Sequence, residues 1–431
     1  MKKKVILGSM LSLFCLGAAA CGSSGGDSGS NTNDSGGSSD NVTISYASWD
    51  TDQAVGLQKV IDKFEADNPN ITVKMETTPW EQYWTKLEAA TTGGNMPDII
   101  TMHLNESYKY MSNGMLMDLQ EMVDAGDIDF DNFTDGIADL YSYEDKNYAV
   151  PKDVTTIGVW YNKTLFEEAG VPLPTADWTW EDFSAAAAAL TNEETGVFGY
   201  AATNAPETGY YDWIYQNEGS IFTDDGLASG FSEQNTIDAF QHYVDFTLTD
   251  KVSPAMEVLR ETDQVNLLGS GKVAMITHGS WMASGFAENE YIAENCDVAV
   301  LPQGEVQATV TNGLAWSIAA DTEHPEEAKK FMAFLASEEA NQIQSDEGVS
   351  IPAYKGLGEG WVNKFVDVFP GIGAFDDMLE YGVIRPFNQE TLKCESLMDE
   401  EVDKALAGTV TVEEASENIV NGVNDIMAAY Q

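Results

Sequence analysis

An α/β chain organised as a double-lobed body is what this sequence predicts, and three observations predict it. The 431 residues and 46.9 kDa exceed one ordinary hydrophobic core and suit two domains or two lobes of one body. Residues 42–102 alternate strand-like and helix-like patterns in the order βαβαβ, which argues for a mostly parallel sheet covered by helices. The composition is 43% apolar and 10% aromatic, enough to rule out disorder for the bulk of the chain.

The first strand is Val42 to Tyr46, alternating at period two and running out at Trp49-Asp50. A helix over 53–68 places Leu57, Val60, Ile61 and Phe64 on one face and stops before Pro69. Ile71 to Met75 is a second strand, 80–90 a helix ending at Gly93-Gly94, and 97–102 a third strand. In open α/β sheets ligands bind beyond the carboxyl ends of strands, here Trp49-Asp50 and His103 to Glu106. Further along, 156–161 is a strand feeding a helix over 162–169, with Gly170 as its left-handed cap. Thr179 to Asp182 has the form of a capping box before a helix through Leu190. Strands follow at 273–276, 297–301 and 314–319, then a helix over 326–336. Thr411 to Glu414 is a second capping box, before a last helix with Ile419, Val420, Val423 and Met427 on one face.

Charge narrows the function. Seventy-one acidic residues against 21 basic ones leave a net charge of -50, which repels phosphate backbones and anionic lipid and argues against nucleic-acid binding. Its simplest role is colloidal solubility. The N-terminus bears on location. Lys2, Lys3 and Lys4 precede 16 uncharged residues, Val5 to Ala20, the form of a signal peptide over 1–20 and too short for a full membrane span. Residues 22–40 hold six Gly, seven Ser, three Asp, two Asn and one Thr, so nothing there can bury apolar surface. Such a tether reaches about 25 Å.

Motifs for catalysis and metals fail. No Cys-x-x-Cys or His-Glu-x-x-His occurs. Asp127, Asp129 and Asp131 begin like an EF-hand loop, but Asn132 stands at the glycine position and Ala138 at the closing glutamate. Gly271-Lys272 lacks the rest of a P-loop, and the single Gly-x-Ser-x-Gly, Gly22 to Gly26, lies in the tether. No metal and no cofactor is therefore expected. Cys296 and Cys394 remain after the signal and Cys21, and are either one disulfide or two buried thiols.

Several segments together resemble a known family. Leu16 to Cys21 resembles the bacterial lipobox, although Ala18 stands where Leu is usual; this implies a diacylglyceryl anchor on Cys21, the alternative being plain secretion after Ala20. Gly94 to Ile100 with Gly114 to Leu119, Tyr161 to Pro172 with Trp180 to Phe183, Gly271 to Trp281, and Gly313 to Ala319 with His324 to Leu335 resemble extracellular solute-binding protein family 1 of bacterial ABC importers. That resemblance implies a two-lobed, hinged fold of the maltose-binding type, each lobe a mostly parallel sheet flanked by helices. The lobes would be 41–153 with about 313–355, and 154–312 with about 356–431. It further implies a monomeric, non-enzymatic carrier, lipid-anchored on the extracellular face of the cell membrane, that captures a sugar, in the first place an oligosaccharide, and presents it to permease subunits.

A sugar has an apolar C–H face that packs on an aromatic ring and a hydroxyl rim that needs carboxylates, amides or cations. Trp49 and Asp50 qualify by their place at a strand end, and Trp213 by the cluster Tyr210 to Trp213. Trp80 follows Pro79 at a helix start, where packing is the stronger reading, beside Glu81 as a candidate ligand residue. The resemblance implies that Trp281 stands at a position similar to the stacking Trp of relatives, and that Asn105 and Glu106, with His103, stand where relatives place hydroxyl-binding groups. Lys152 and Asp153 precede the first crossing between lobes. Gly313 begins the return crossing, where a glycine lets backbone approach a ligand. Arg385 is one of two arginines, in a late segment where relatives use a basic residue. Two competing functions stay open at this level: the same fold holding a peptide or polyamine, and an anchored glycan-degrading enzyme.

Overall fold

The computed structural model describes residues 41–430. The signal, Cys21 and the tether lie outside the described residues. In chain order the strands are β1 Val42–Ser48, β2 Ile71–Thr77, β3 Ile99–Met102, the short pair β4 Ser142–Tyr143 and β5 Lys146–Asn147, β6 Val150–Pro151, β7 Ile157–Asn162, β8 Phe198–Tyr200, β9 Val273–Gly279, β10 Cys296–Ala299, β11 Thr309–Thr311, β12 Ala315–Ile318 and β13 Gly382–Ile384. They build a five-stranded sheet in the order β2-β1-β3-β12-β6 and a four-stranded sheet in the order β10-β7-β9-β8. Helices flank both, so each lobe is a sheet covered by helices, as the α/β class requires.

Local signals act where the sequence places them. The helix Ala54–Asp67 buries Leu57, Val60, Ile61 and Phe64. The helix Trp180–Leu190 opens on a complete capping box: Thr179 Oγ1 accepts from Asp182 N, and Asp182 Oδ2 accepts from Thr179 N at 2.9 Å. Asn162 caps the helix Lys163–Ala169 by accepting from Leu165 N, and Gly170 closes it at φ 69°. Thr411 likewise accepts from Glu414 N ahead of Val412–Met427. Cys296 and Cys394 are both free and buried.

Within the expected class, strand direction is more mixed than a mostly parallel reading implies. β1 runs parallel to β2 and β3, but β12 is antiparallel to β3 and β6. In the second sheet β7 is antiparallel to β9 and β10, and β8–β9 is parallel. The reason is topological. β12 joins the first sheet only after the chain has visited the second, so it enters from the cleft side. β9 ends at Gly279 opposite the start of β7 at Ile157, at the same edge.

Three segments cross between the sheets and bond to one another. Lys152 N donates to Leu314 O at 2.8 Å, Thr155 N to Asn312 O at 2.8 Å, and Val154 N to Ile351 O at 3.0 Å. After the third crossing the chain packs on the second sheet, where Phe375 lies 5.7 Å from the Trp160 ring of β7.

Candidate ligand-binding site

A cavity of about 350 Å³ opens above these crossings, with walls from both sheets. Trp49, Asp50 and Gln53 after β1, Trp80 at its helix start and His103 after β3 form the first wall. Glu207 and Trp281 face them from the second lobe. Asp153, Thr155, Asn312, Gly313 and Leu314 make the floor. A hollow of about 410 Å³ beside Glu76, Lys86 and Leu87 is lined by the first lobe alone.

The aromatic wall is a stack of edges. The Trp49 ring lies 4.9 Å from Trp80 at 83°, and 5.1 Å from Tyr83 at 73°. Trp80 is 42% exposed, so one indole surface remains free. His103 sits 5.2 Å from Trp80. Its Nδ1 accepts from Asn105 N at 3.2 Å, capping the helix Leu104–Ser112, and its Nε2 lies 3.2 Å from Asn312 Nδ2. Burial, helped by the nearby Arg385 charge, holds the imidazole at about 3, so it is neutral at physiological pH. Half-buried Trp281 follows β9, 5.5 Å from His278.

The polar groups are ordered by the fold. Asp50 Oδ1 accepts from Asp52 N at 2.9 Å and Gln53 N at 3.0 Å, shaping the turn into the first helix; burial raises its carboxyl. Asp153 Oδ1 accepts from Leu314 N at 2.7 Å, and its Oδ2 from Lys152 Nζ at 2.7 Å. Glu207 Oε2 lies 3.3 Å from Arg385 Nε, while Oε1 is buried without a hydrogen-bond partner. Burial raises the Glu207 carboxyl, against the pull of Arg385.

Of the expected residues, Trp49, Asp50, His103, Asp153, Trp281 and Gly313 line the cavity together. Six others do not. Trp213 is 1% exposed and sits in the aromatic core of the second lobe, 5.1 Å from Trp180 and 5.0 Å from Phe246. That corrects its reading as a platform: its helix Tyr211–Gln216 turns it inward. Glu81 is exposed in the first turn of its helix and does not line the cavity. Asn105 and Glu106 belong to the first turn of the helix Leu104–Ser112. Asn105 Nδ2 donates to Glu395 Oε2 at 2.9 Å and its Oδ1 accepts from Arg385, so its amide is bound within the protein. Glu106 is half-buried outside the lining. Lys152 is 1% exposed beneath the floor, and Arg385 is 4% exposed behind Glu207.

Gly313 has a packing reason to be glycine as well. A Cβ there would meet Asp153 O at 2.3 Å and Ile137 Cγ2 at 2.9 Å, so the crossing strands themselves demand a bare backbone. Sequence reasoning does not reach Gln53, Thr155, Glu207, Asn312 and Leu314 as ligand residues, and it weighs Trp80 towards packing. Gln53 lies three residues beyond Asp50 and Asn312 precedes Gly313, so proximity could have found them. Glu207 stands in the irregular turn Pro206–Tyr210, which carries no sequence signal.

Among the described residues no group of His, Cys, Asp and Glu could hold a metal ion, and no helix is long and apolar enough to cross a membrane.

Residues 48–342 match the family model of bacterial extracellular solute-binding proteins. The multiple sugar-binding protein of Streptococcus mutans is 27% identical over 355 residues, 74% of this chain and 77% of that protein. The galactooligosaccharide-binding protein of Bacillus subtilis is 24% identical over 72% of each chain. An ABC substrate-binding protein from Listeria monocytogenes, solved in complex with cycloalternan, superposes with a TM-score of 0.82 at 28% identity, over 90% of this chain and all of that one.

Proposed function

Because this chain belongs to the bacterial extracellular solute-binding proteins, a family of binding proteins rather than enzymes, we propose that it captures a sugar for an ABC importer and releases it unreacted to the permease. The observation that carries the reading is the opposition of Trp49 and Trp80 to Trp281 across one cavity, with carboxylates and amides between them. A sugar ring packed on an indole removes roughly 100 Å² from water, worth about 2–3 kcal/mol at ~25 cal/mol/Å². Two such platforms give about 4–6 kcal/mol before the cost of association, against the ~8 kcal/mol of a micromolar complex, and the polar rim supplies the rest.

The lobes, 41–153 with about 313–355 and 154–312 with about 356–431, close about the three crossings, and the ligand favours closure only by binding the closed form better. The oligosaccharide-binding relatives favour a chain of sugar units over a monosaccharide. The energy for import comes from a separate ATPase. The mature protein works as a monomer, held on the outer face of the membrane through lipid on Cys21, whose two acyl chains anchor stably where one is marginal.

Titrating the protein with neutral oligosaccharides while following Trp fluorescence and radius of gyration tests this. A saturable response with compaction is expected; binding of peptides or polyamines but of no sugar would overturn it, as would new reducing ends in the mixture. Cys21→Ala is expected to move the protein from the cell-attached fraction to the medium.

A further inference from the structure

The cleft holds more carboxylate than its own cations neutralise. No lysine or arginine lines the cavity; two cations, Lys152 and Arg385, are buried beside its lining residues. Lys152 Nζ reaches Asp153 Oδ2 at 2.7 Å, Gln53 Oε1 at 2.9 Å and Ser350 Oγ at 3.4 Å, which occupies its three protons. Arg385 places Nη2 2.6 Å from Glu395 Oε1, Nη1 on Asn105 Oδ1, and Nε 3.3 Å from Glu207 Oε2. His103 cannot stand in for them, since burial keeps its ring neutral.

Against these two cations stand four carboxyl groups, those of Asp50, Asp153, Glu207 and Glu395. They are not spread evenly. Asp153 has partners on both oxygens, and Glu395 lies behind the wall on Arg385 and Asn105. The surplus falls on Asp50 and Glu207, one on each side of the cavity. Both side chains line the cavity, and no lysine or arginine lines it beside them.

We propose that the cleft admits neutral and amino-bearing sugars and rejects anionic ones, such as uronic acids and sugar phosphates, with Glu207 setting the selectivity and Asp50 supporting it. This rests on the sugar reading above and adds the charge class of its ligand. An anionic sugar here would meet like charge in a partly buried site with no free cation to pair it, and selectivity built on repulsion needs no added attraction. A neutral sugar donates hydroxyl protons to the same carboxylates, and an amino group adds a charge-assisted bond.

The test is calorimetric titration of the mature protein at pH 7.5 with maltose, cellobiose and lactose, each beside its counterpart oxidised at C6 to a uronic acid and its 2-amino-2-deoxy counterpart. Whichever neutral sugar binds, its uronate is expected to bind at least about thirtyfold more weakly, from a like charge at contact range in a partly buried site. The amino sugar is expected to bind at least as well as the neutral one. Glu207→Gln should narrow the neutral-to-uronate ratio by about tenfold, and Asp50→Asn, the second variant should the first not fold, should narrow it less. Melting curves establish that each variant is folded. A uronate that binds the wild-type protein as tightly as its neutral parent would overturn the proposal and leave the sugar reading standing. So would an unchanged ratio in folded variants. Failure of every sugar in all three classes would remove both.

Discussion

The indole of Trp281 lies directly over Gly279: a Cβ on that glycine would fall 1.9 Å from Cζ3 and 2.2 Å from Cε3. The last residue of β9 therefore sets where the second-lobe platform stands. Its φ of -82° is open to any residue, so space, not backbone conformation, demands glycine. Gly279→Ala should push the ring out of the cavity. We expect ligand affinity to fall about tenfold or more, approaching the ~2–3 kcal/mol loss of Trp281→Ala, with little change in melting temperature. Calorimetric titration beside thermal melting checks both halves.

Gly313→Ala should act on stability first. Its Cβ would strike the Asp153 carbonyl, which is backbone and cannot swing aside. A loss of about 1–3 kcal/mol is expected from the forced shift of the crossing strands. Urea unfolding at constant slope measures it, and an unchanged midpoint would contradict the packing described.

Lys152→Ala should also unfold the protein rather than merely weaken binding. Lys152 and Asp153 are each 1% exposed, so removing the ammonium strands a buried carboxylate. Breaking one side of such a pair costs about 3–5 kcal/mol. The double variant Lys152→Met, Asp153→Leu should recover part of that, a pattern read from the melting temperatures of the set.

Asp399 makes stability depend on pH. Burial, then the neighbouring Glu395 carboxylate, raises its carboxyl from 3.8 to about 7, with Arg385 opposing. The folded state thus holds a proton that the unfolded state releases, and its contribution is full below about 4 and lost as pH rises through about 7. His103 and His278 work the other way. Burial lowers them to about 3 and about 4, so their contribution is present above 6.5 and fades as pH falls towards those values. Comparing wild type with Asp399→Asn isolates the carboxyl: the variant should gain on wild type between pH 5 and 8. A melting-temperature difference that stays flat across that range would contradict this assignment.

Much of the molecule follows from neighbours in the chain. The buried face of 54–67, the capping box at Thr179 and Asp182, and the left-handed cap at Gly170 are products of spacing and residue type, and they form as read. Strand ends are equally local: Trp49 and Asp50 follow β1 and His103 follows β3, at the carboxyl ends where open sheets bind ligands. The family signature adds Trp281 by position.

Tertiary structure alone decided which polar groups face the cavity. Asn105 and Arg385 lie 280 residues apart in the chain, yet they satisfy each other and so leave the ligand surface. Trp213 and Trp281 read alike as exposed platforms, but one helix turns its indole into a core while the other ring is held at the rim by a bare glycine. Periodicity reports which side of a helix or strand is apolar. It carries no information on what stands across a gap of hundreds of residues, and the charge balance of this cleft is set there, by which carboxylates find a cation and which do not.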